Sequence, residues 1–150
     1  MKLNKTLLGG MLIVGLMVPV ANGAPGVEKD PTVPRVPAGE IAAAKAVKPP
    51  VDLSSAAVIA KGKATFLAKG TCFTCHGEGG KGDGVAAAAL DPSPRNFTNP
   101  QFAKMRTPGE MMWILKNGSP GTAMVPVIPS QISEEEGWEV IAFERSLGGH

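Results

Sequence analysis

Cys72, Phe73, Thr74, Cys75 and His76 set two thiols three positions apart with an imidazole directly after them, and these are the only cysteines of the chain. In one helical turn the two sulfurs fall on roughly the same side, where both can form thioethers to the vinyl groups of a haem. His76 is then placed to give a ring nitrogen to the iron on the proximal face. The spacing is the attachment signature of haem c. Covalent attachment tolerates a small protein and a partly exposed ring edge, which suits electron exchange.

Three other uses compete for these residues. A redox-active dithiol expects a βαβ context, whereas the flanks here are helical and glycine-rich. A structural zinc ion needs four ligands, and the chain offers Cys72, Cys75, His76 and a His150 on its last residue. A disulfide across two intervening residues is a strained ring that restrains little chain. Haem attachment is the preferred reading.

An iron that carries electrons has both axial positions filled, so a second ligand must face His76. Methionine raises the reduction potential relative to a second imidazole, because thioether sulfur favours ferrous iron. The candidates are Met105, Met111, Met112 and Met124. Met111 and Met112 fall on an expected helix, where methionine usually fills core space, and Met105 lies in a connection without clear pattern. Met124 lies in Gly118-Ser119-Pro120-Gly121-Thr122-Ala123-Met124-Val125-Pro126. Prolines stiffen that loop and glycines let its backbone pass close to a flat ring. Met124 is the first choice and Met105 the next.

The elements that must position these groups read as helices. Ser54 or Ser55 can cap a helix through Ala68, with Val58, Ile59, Phe66 and Leu67 available to a core. The haem motif opens a short turn. Residues 77–84 carry five glycines in eight positions and form an irregular loop without the strand-then-helix context of a phosphate cradle. Residues 86–90 allow one helical turn. Thr107-Pro108-Gly109-Glu110 is a capping box with proline at the first helical position, and that helix ends at Asn117-Gly118. Ser133 and Glu136 form a second box, opening a terminal helix with Val140, Ile141, Phe143 and Leu147 at helical spacing. Strand signals are nearly absent, so the fold class is all-α.

Upstream, residues 1–23 read as an export signal. Lys2 and Lys5 precede an apolar run over residues 7–18, and small residues lead to cleavage after Gly23. The alternative is an uncleaved N-terminal anchor, though that run is short of the ~20 residues a spanning helix needs. Export agrees with the motif, because haem c is attached outside the cytoplasmic membrane, and the expected location is the periplasm. Residues 24–50 carry six prolines and few large apolar side chains. They are expected to be an extended tether, with a short helical turn around residues 41–47, and they are a candidate docking arm for a larger complex. The haem domain occupies residues 51–150.

The chain has 15 basic and 13 acidic residues. Loss of residues 1–23 removes Lys2 and Lys5 and no acid, leaving 13 of each. No basic field exists to bind nucleic acid. Lysines 45, 48, 61, 63 and 69 precede the motif, and glutamates 134, 135, 136, 139 and 144 lie near the end. Such charges are a solvated surface or a docking face.

With these residues in view, the chain resembles the class I cytochromes c, especially small bacterial monohaem ones. The resemblance covers most of residues 56–147. It runs through Gly62-Lys63-Ala64-Thr65-Phe66, the haem motif, Gly82-Asp83-Gly84, Pro92-Ser93-Pro94-Arg95-Asn96-Phe97, Pro120-Gly121-Thr122-Ala123-Met124 and Trp138-Glu139-Val140-Ile141-Ala142-Phe143. It implies three main helices around haem, the first and last crossing near Gly62 and Phe143, and a His/Met six-coordinate iron. It also implies a prolyl carbonyl accepting the His76 ring N–H, for which Pro92 is the candidate. Arg95 and Trp113 are candidates for the propionates, and Trp138 for the core. Two departures stand out: Val125 separates Met124 from Pro126, and Phe143 occupies a place where relatives often carry tyrosine.

The expected function is a soluble, exported carrier that passes single electrons between redox proteins of a respiratory-type chain, some of them membrane complexes, and is not an enzyme by itself. The alternatives are a haem c subunit of a larger periplasmic oxidoreductase, and a gas-binding or peroxidatic haem protein with a weak sixth ligand.

Overall fold

The computed structural model describes residues 33–149; the expected export signal, the cleavage point after Gly23 and His150 lie outside the described residues. Six α-helices follow in order: α1 (Ile41–Ala46), α2 (Ala56–Leu67), α3 (Phe73–His76), α4 (Pro100–Met105), α5 (Pro108–Asn117) and α6 (Glu134–Leu147). A 3-10 turn at Ala87–Ala89 lies between α3 and α4. No strand occurs among the described residues. The all-α expectation holds.

Local chemistry starts these helices. Both capping boxes form. Thr107 Oγ1 accepts from the Glu110 N–H at 3.3 Å while Glu110 Oε2 accepts from the Thr107 N–H at 2.8 Å. Ser133 and Glu136 make the same exchange at 3.1 and 2.7 Å. Each box satisfies two donors that a helix start leaves open. Ser55 precedes α2 but gives it no side-chain cap, and Ser54 is taken by Asp52, whose Oδ1 accepts from both its N–H and its hydroxyl. Helix α4 went unread in the sequence although it carries a start signal. Asn99 accepts from the Gln101 N–H at 3.0 Å, and Pro100 occupies the first helical position.

Helices α2 and α6 make the most extensive contact between elements. They cross where Gly62 meets Glu139 and Val140, and a Cβ at position 62 would collide with the Glu139 carbonyl. One turn further on, the Phe66 and Phe143 rings meet edge to face with centroids 5.2 Å apart. The crossing implied by the resemblance is therefore present. Ion pairs tie the same two helices from outside: Lys61 to Glu139 at 3.3 Å and Lys69 to Glu136 at 2.8 Å. Part of the charge asymmetry read along the chain is thus spent between neighbouring helices. The core gathers Phe66, Met112, Ile132, Trp138, Val140 and Ile141, all almost completely buried, and Trp138 takes the core place expected of it.

The segment expected to be an extended tether is folded over its described part. Val36 and Ala44 are buried, and α1 lies against α5. The contact depends on a second glycine, because a Cβ at Gly109 would strike the Ala44 and Val47 carbonyls. The alanines read as a mere helical turn are small enough to give α1 that close approach.

Gly62→Ala should force α2 from α6 and cost about 1–3 kcal/mol, the usual range for overpacking. Thermal unfolding of the haem-loaded protein by circular dichroism checks this; an unshifted midpoint would show that the crossing tolerates a methyl group.

Candidate functional site

Helix α3 is only four residues long, too short to be stable by itself. The glycine loop after it supplies what the helix lacks. The N–H of Gly82 donates to the His76 carbonyl at 2.8 Å, that of Gly84 to Cys75 at 3.1 Å and that of Ala86 to Thr74 at 3.0 Å. These bonds satisfy the carbonyls that a helix end leaves open. The path requires glycine. Gly82 has a φ of +78°, and a Cβ on Gly84 would collide with the Phe73 and Thr74 carbonyls. The loop is a backbone clamp on the motif.

Cys72, Cys75, His76 and Met124 all line one cavity. The two cysteines are not joined in a disulfide. Burial, with the Glu144 carboxylate nearby, pushes the Cys72 thiol up to about 12. His76 Nδ1 lies 3.1 Å from the Arg95 carbonyl, which orients the ring. The ring stacks on Phe97 with centroids 4.7 Å apart and planes 24° apart. Desolvation lowers the His76 pKa, against the opposing effect of the Arg95 carbonyl. A neutral imidazole is the form that binds a metal.

Met124 is half-buried on a loop with its own bracing. Thr122 Oγ1 donates to the Ser119 carbonyl at 2.8 Å and accepts from the Met124 N–H at 3.1 Å. The Ser119 N–H closes the loop by donating to the Met124 carbonyl at 2.9 Å. Gly118 (φ +76°) lets the chain leave α5 at the angle this needs. Val125, inserted before Pro126, is 62% exposed, so the extra residue is turned outward. Met111 also lines the cavity, whereas Met112 is core. Met105 is 38% exposed and does not line the cavity.

Several secondary assignments change. Pro92 lines the cavity, but the carbonyl that meets His76 belongs to Arg95, three residues later. Trp113 does not line the cavity; its carbonyl accepts from the Asn117 side chain at 2.8 Å. Arg95 does line it, its guanidinium 5.5 Å from the centre of the Phe102 ring. Arg35 and Arg106 join Arg95 in the cavity wall, so cations are at hand for the two carboxylates of a haem. Among the described residues no group of three His, Cys, Asp or Glu gathers to hold a bare metal ion. Two thiols, an imidazole, a thioether and cationic side chains around one cavity fit haem c.

The family model for cytochrome c oxidase, cbb3-type, subunit III matches residues 57–143, more than half of the chain. The chain belongs to the class I cytochromes c. Its cofactor is covalently attached haem c and its chemistry is electron transfer. None of the curated proteins matches this cytochrome. Among solved structures it is similar to a chain of the Kuenenia stuttgartiensis reducing HAO-like protein complex, with 27% identity and a TM-score of 0.54. That match covers 72% of the cytochrome and 54% of the other chain, so the cytochrome spans about half the length of this neighbour.

Thr122→Val removes both bonds that brace the Met124 loop while keeping side-chain shape. It should lower stability by about 1–2 kcal/mol, read from the denaturant midpoint of the haem-loaded cytochrome. An unchanged midpoint would show that the loop holds without the hydroxyl.

Proposed function

We propose that this cytochrome is an exported, periplasmic one-electron carrier with His76 and Met124 as axial ligands and Cys72 and Cys75 as the thioether anchors. One observation carries the reading: these four side chains line a single cavity. Haem supplies a one-electron couple between ferric and ferrous iron. The protein's own work is positional. The glycine clamp fixes α3, the Arg95 carbonyl orients the imidazole, and the Thr122 brace holds the loop from which Met124 enters. His76 and Met124 would together hold the iron, leaving no place on it for a substrate, so the bound haem would supply outer-sphere electron exchange with a docked partner.

Export supports the reading because the anchoring chemistry belongs outside the cytoplasmic membrane, and residues 1–23 have the composition of a cleaved signal. Among the described residues no helix is long and apolar enough to cross a membrane. The partners are redox proteins that dock briefly over small interfaces. A second reading, in which the chain is the haem c subunit of a periplasmic oxidoreductase, gains support from its likeness to a chain of a multi-subunit complex. A partner that co-elutes in fixed ratio on purification at native abundance favours the subunit; a single-chain elution favours the free carrier.

Met124→Ala should abolish the sulfur-to-iron charge-transfer band in the oxidised spectrum and lower the reduction potential, whereas Met105→Ala should leave both unchanged. Persistence of the band in the Met124 variant would refute the ligand assignment. The reduced wild-type protein should resist carbon monoxide at neutral pH, and rapid, complete binding would instead favour a gas-binding or peroxidatic protein.

A further inference from the structure

Glu144 sits where the apolar stripe of α6 would place a hydrocarbon. It lies four residues after Val140 and three before Leu147, the spacing that stacks side chains on one helix face. The residue is 5% exposed and its side chain lines the same cavity as Cys72. Three other acids of this helix have a lysine within reach: Glu134 pairs with Lys116 at 2.7 Å, Glu136 with Lys69 at 2.8 Å and Glu139 with Lys61 at 3.3 Å. For Glu144 burial is the sole influence, with no hydrogen bond or ion pair among the described residues to offset it.

The charged and titratable groups around it do not offset its burial. On α6, Arg145 turns away and donates to the Ala103 and Arg106 carbonyls at 3.4 and 3.1 Å. From the α2–α3 side, Cys72 feels the Glu144 charge, and thioether formation removes that thiol and Cys75 from titration. Lys61 and Lys69 of that side are engaged by Glu139 and Glu136. Also lining the cavity are Arg35, Arg95 and His76, and Arg106 with Glu110, whose side chains lie 3.9 Å apart. Desolvation alone moves the carboxyl, up to about 8.

We propose that Glu144 is a redox-linked proton site, taking a proton from solvent when the cofactor in its cavity accepts an electron and releasing it when the electron leaves. Written out, the ferric centre, the Glu144 carboxylate, one electron from a donor protein and one hydronium ion of the solvent become the ferrous centre, the Glu144 carboxylic acid and one water. One O–H bond forms, and oxidation breaks it again. The reason is electrostatic. The oxidised cofactor carries one more positive charge inside a cavity where charges are weakly screened. That charge favours the carboxylate, and its loss favours the acid. By linkage the effect is reciprocal: proton binding to Glu144 makes the electron easier to add. The proposal rests on the electron-carrier reading and adds a proton to each electron.

The test is a potentiometric titration of the haem-loaded protein over a series of pH values. Between the ferric-state and ferrous-state pKa of Glu144, the wild-type reduction equilibrium should weaken as pH rises. The limit is tenfold per pH unit, which is 59 mV for a one-electron couple. Glu144→Gln should flatten that segment. It should match the wild type on the acid side, where the carboxyl is neutral in both redox states, and lie above it on the alkaline side. Infrared difference spectra of the wild type alone should show a protonated-carboxyl C=O band that grows on reduction; in Glu144→Gln it should be missing. A wild-type potential independent of pH, a slope kept in Glu144→Gln, or no such band in the wild type would each overturn the proposal. A wild-type chain without a haem c spectrum, or one that cannot be reversibly reduced, would instead overturn the electron-carrier reading beneath it.

Discussion

Everything in this fold leans on a side chain that is missing. At Gly62 the backbone of α2 meets the backbone of α6 with no Cβ between them, and that contact sets how far apart and at what angle the helices run. Phe66 and Phe143 then meet one turn away, and the lysines of α2 reach the glutamates of α6. Because their lysines reach into solvent, these pairs contribute little energy, on the order of 1 kcal/mol or less each. Their effect is to hold a register that burial has already chosen. Because helix faces repeat, fixing α6 at Glu139 and Val140 also fixes which of its later residues look into the cavity.

The cavity itself is assembled by two different means. Its floor is local: a four-residue helix is held by N–H groups from the loop immediately following, and glycine is required because the bonding path runs too close to carbonyls for a side chain. Its opposite wall is brought in from far along the chain, through the braced loop after α5 and the late part of α6. Cys72, Cys75 and His76 come from the floor and Met124 from the far wall, and Glu144 joins them from α6. In such surroundings a single charge acts at longer range than it would in water.

The parts of this architecture that were legible in the sequence are those whose cause is short-range. Thr107 with Glu110, Ser133 with Glu136, and Cys72 through His76 each announce themselves within five residues; both capping boxes form as read, and the cysteine motif forms the expected short turn beside a cavity. Helix α4 also carried a short-range signal, Asn99 before Pro100, which went unused because the helix has little apolar pattern. What was not legible has long-range causes. Nothing near Pro92 reveals that the Arg95 carbonyl will be the one to reach His76, since that depends on how the chain turns after the glycine loop. Nothing in a proline-rich run reveals that Gly109, some sixty residues later, leaves room for Ala44. Glu144 is the intermediate case. Its place between Val140 and Leu147 marks the inner face of a helix, but only the crossing at Gly62 turns that face toward the cavity.

The local character of the α3 clamp bears on the order of events during biogenesis. Every backbone bond that holds the motif comes from residues 71–86, so its loop closures are short and fast. A chain emerging from its N-terminus completes this knot at Ala86, 58 residues before Glu144 follows. Thiols and imidazole can therefore be shaped for cofactor attachment while the far wall is still unmade, and α6 closes over a ring that is already anchored.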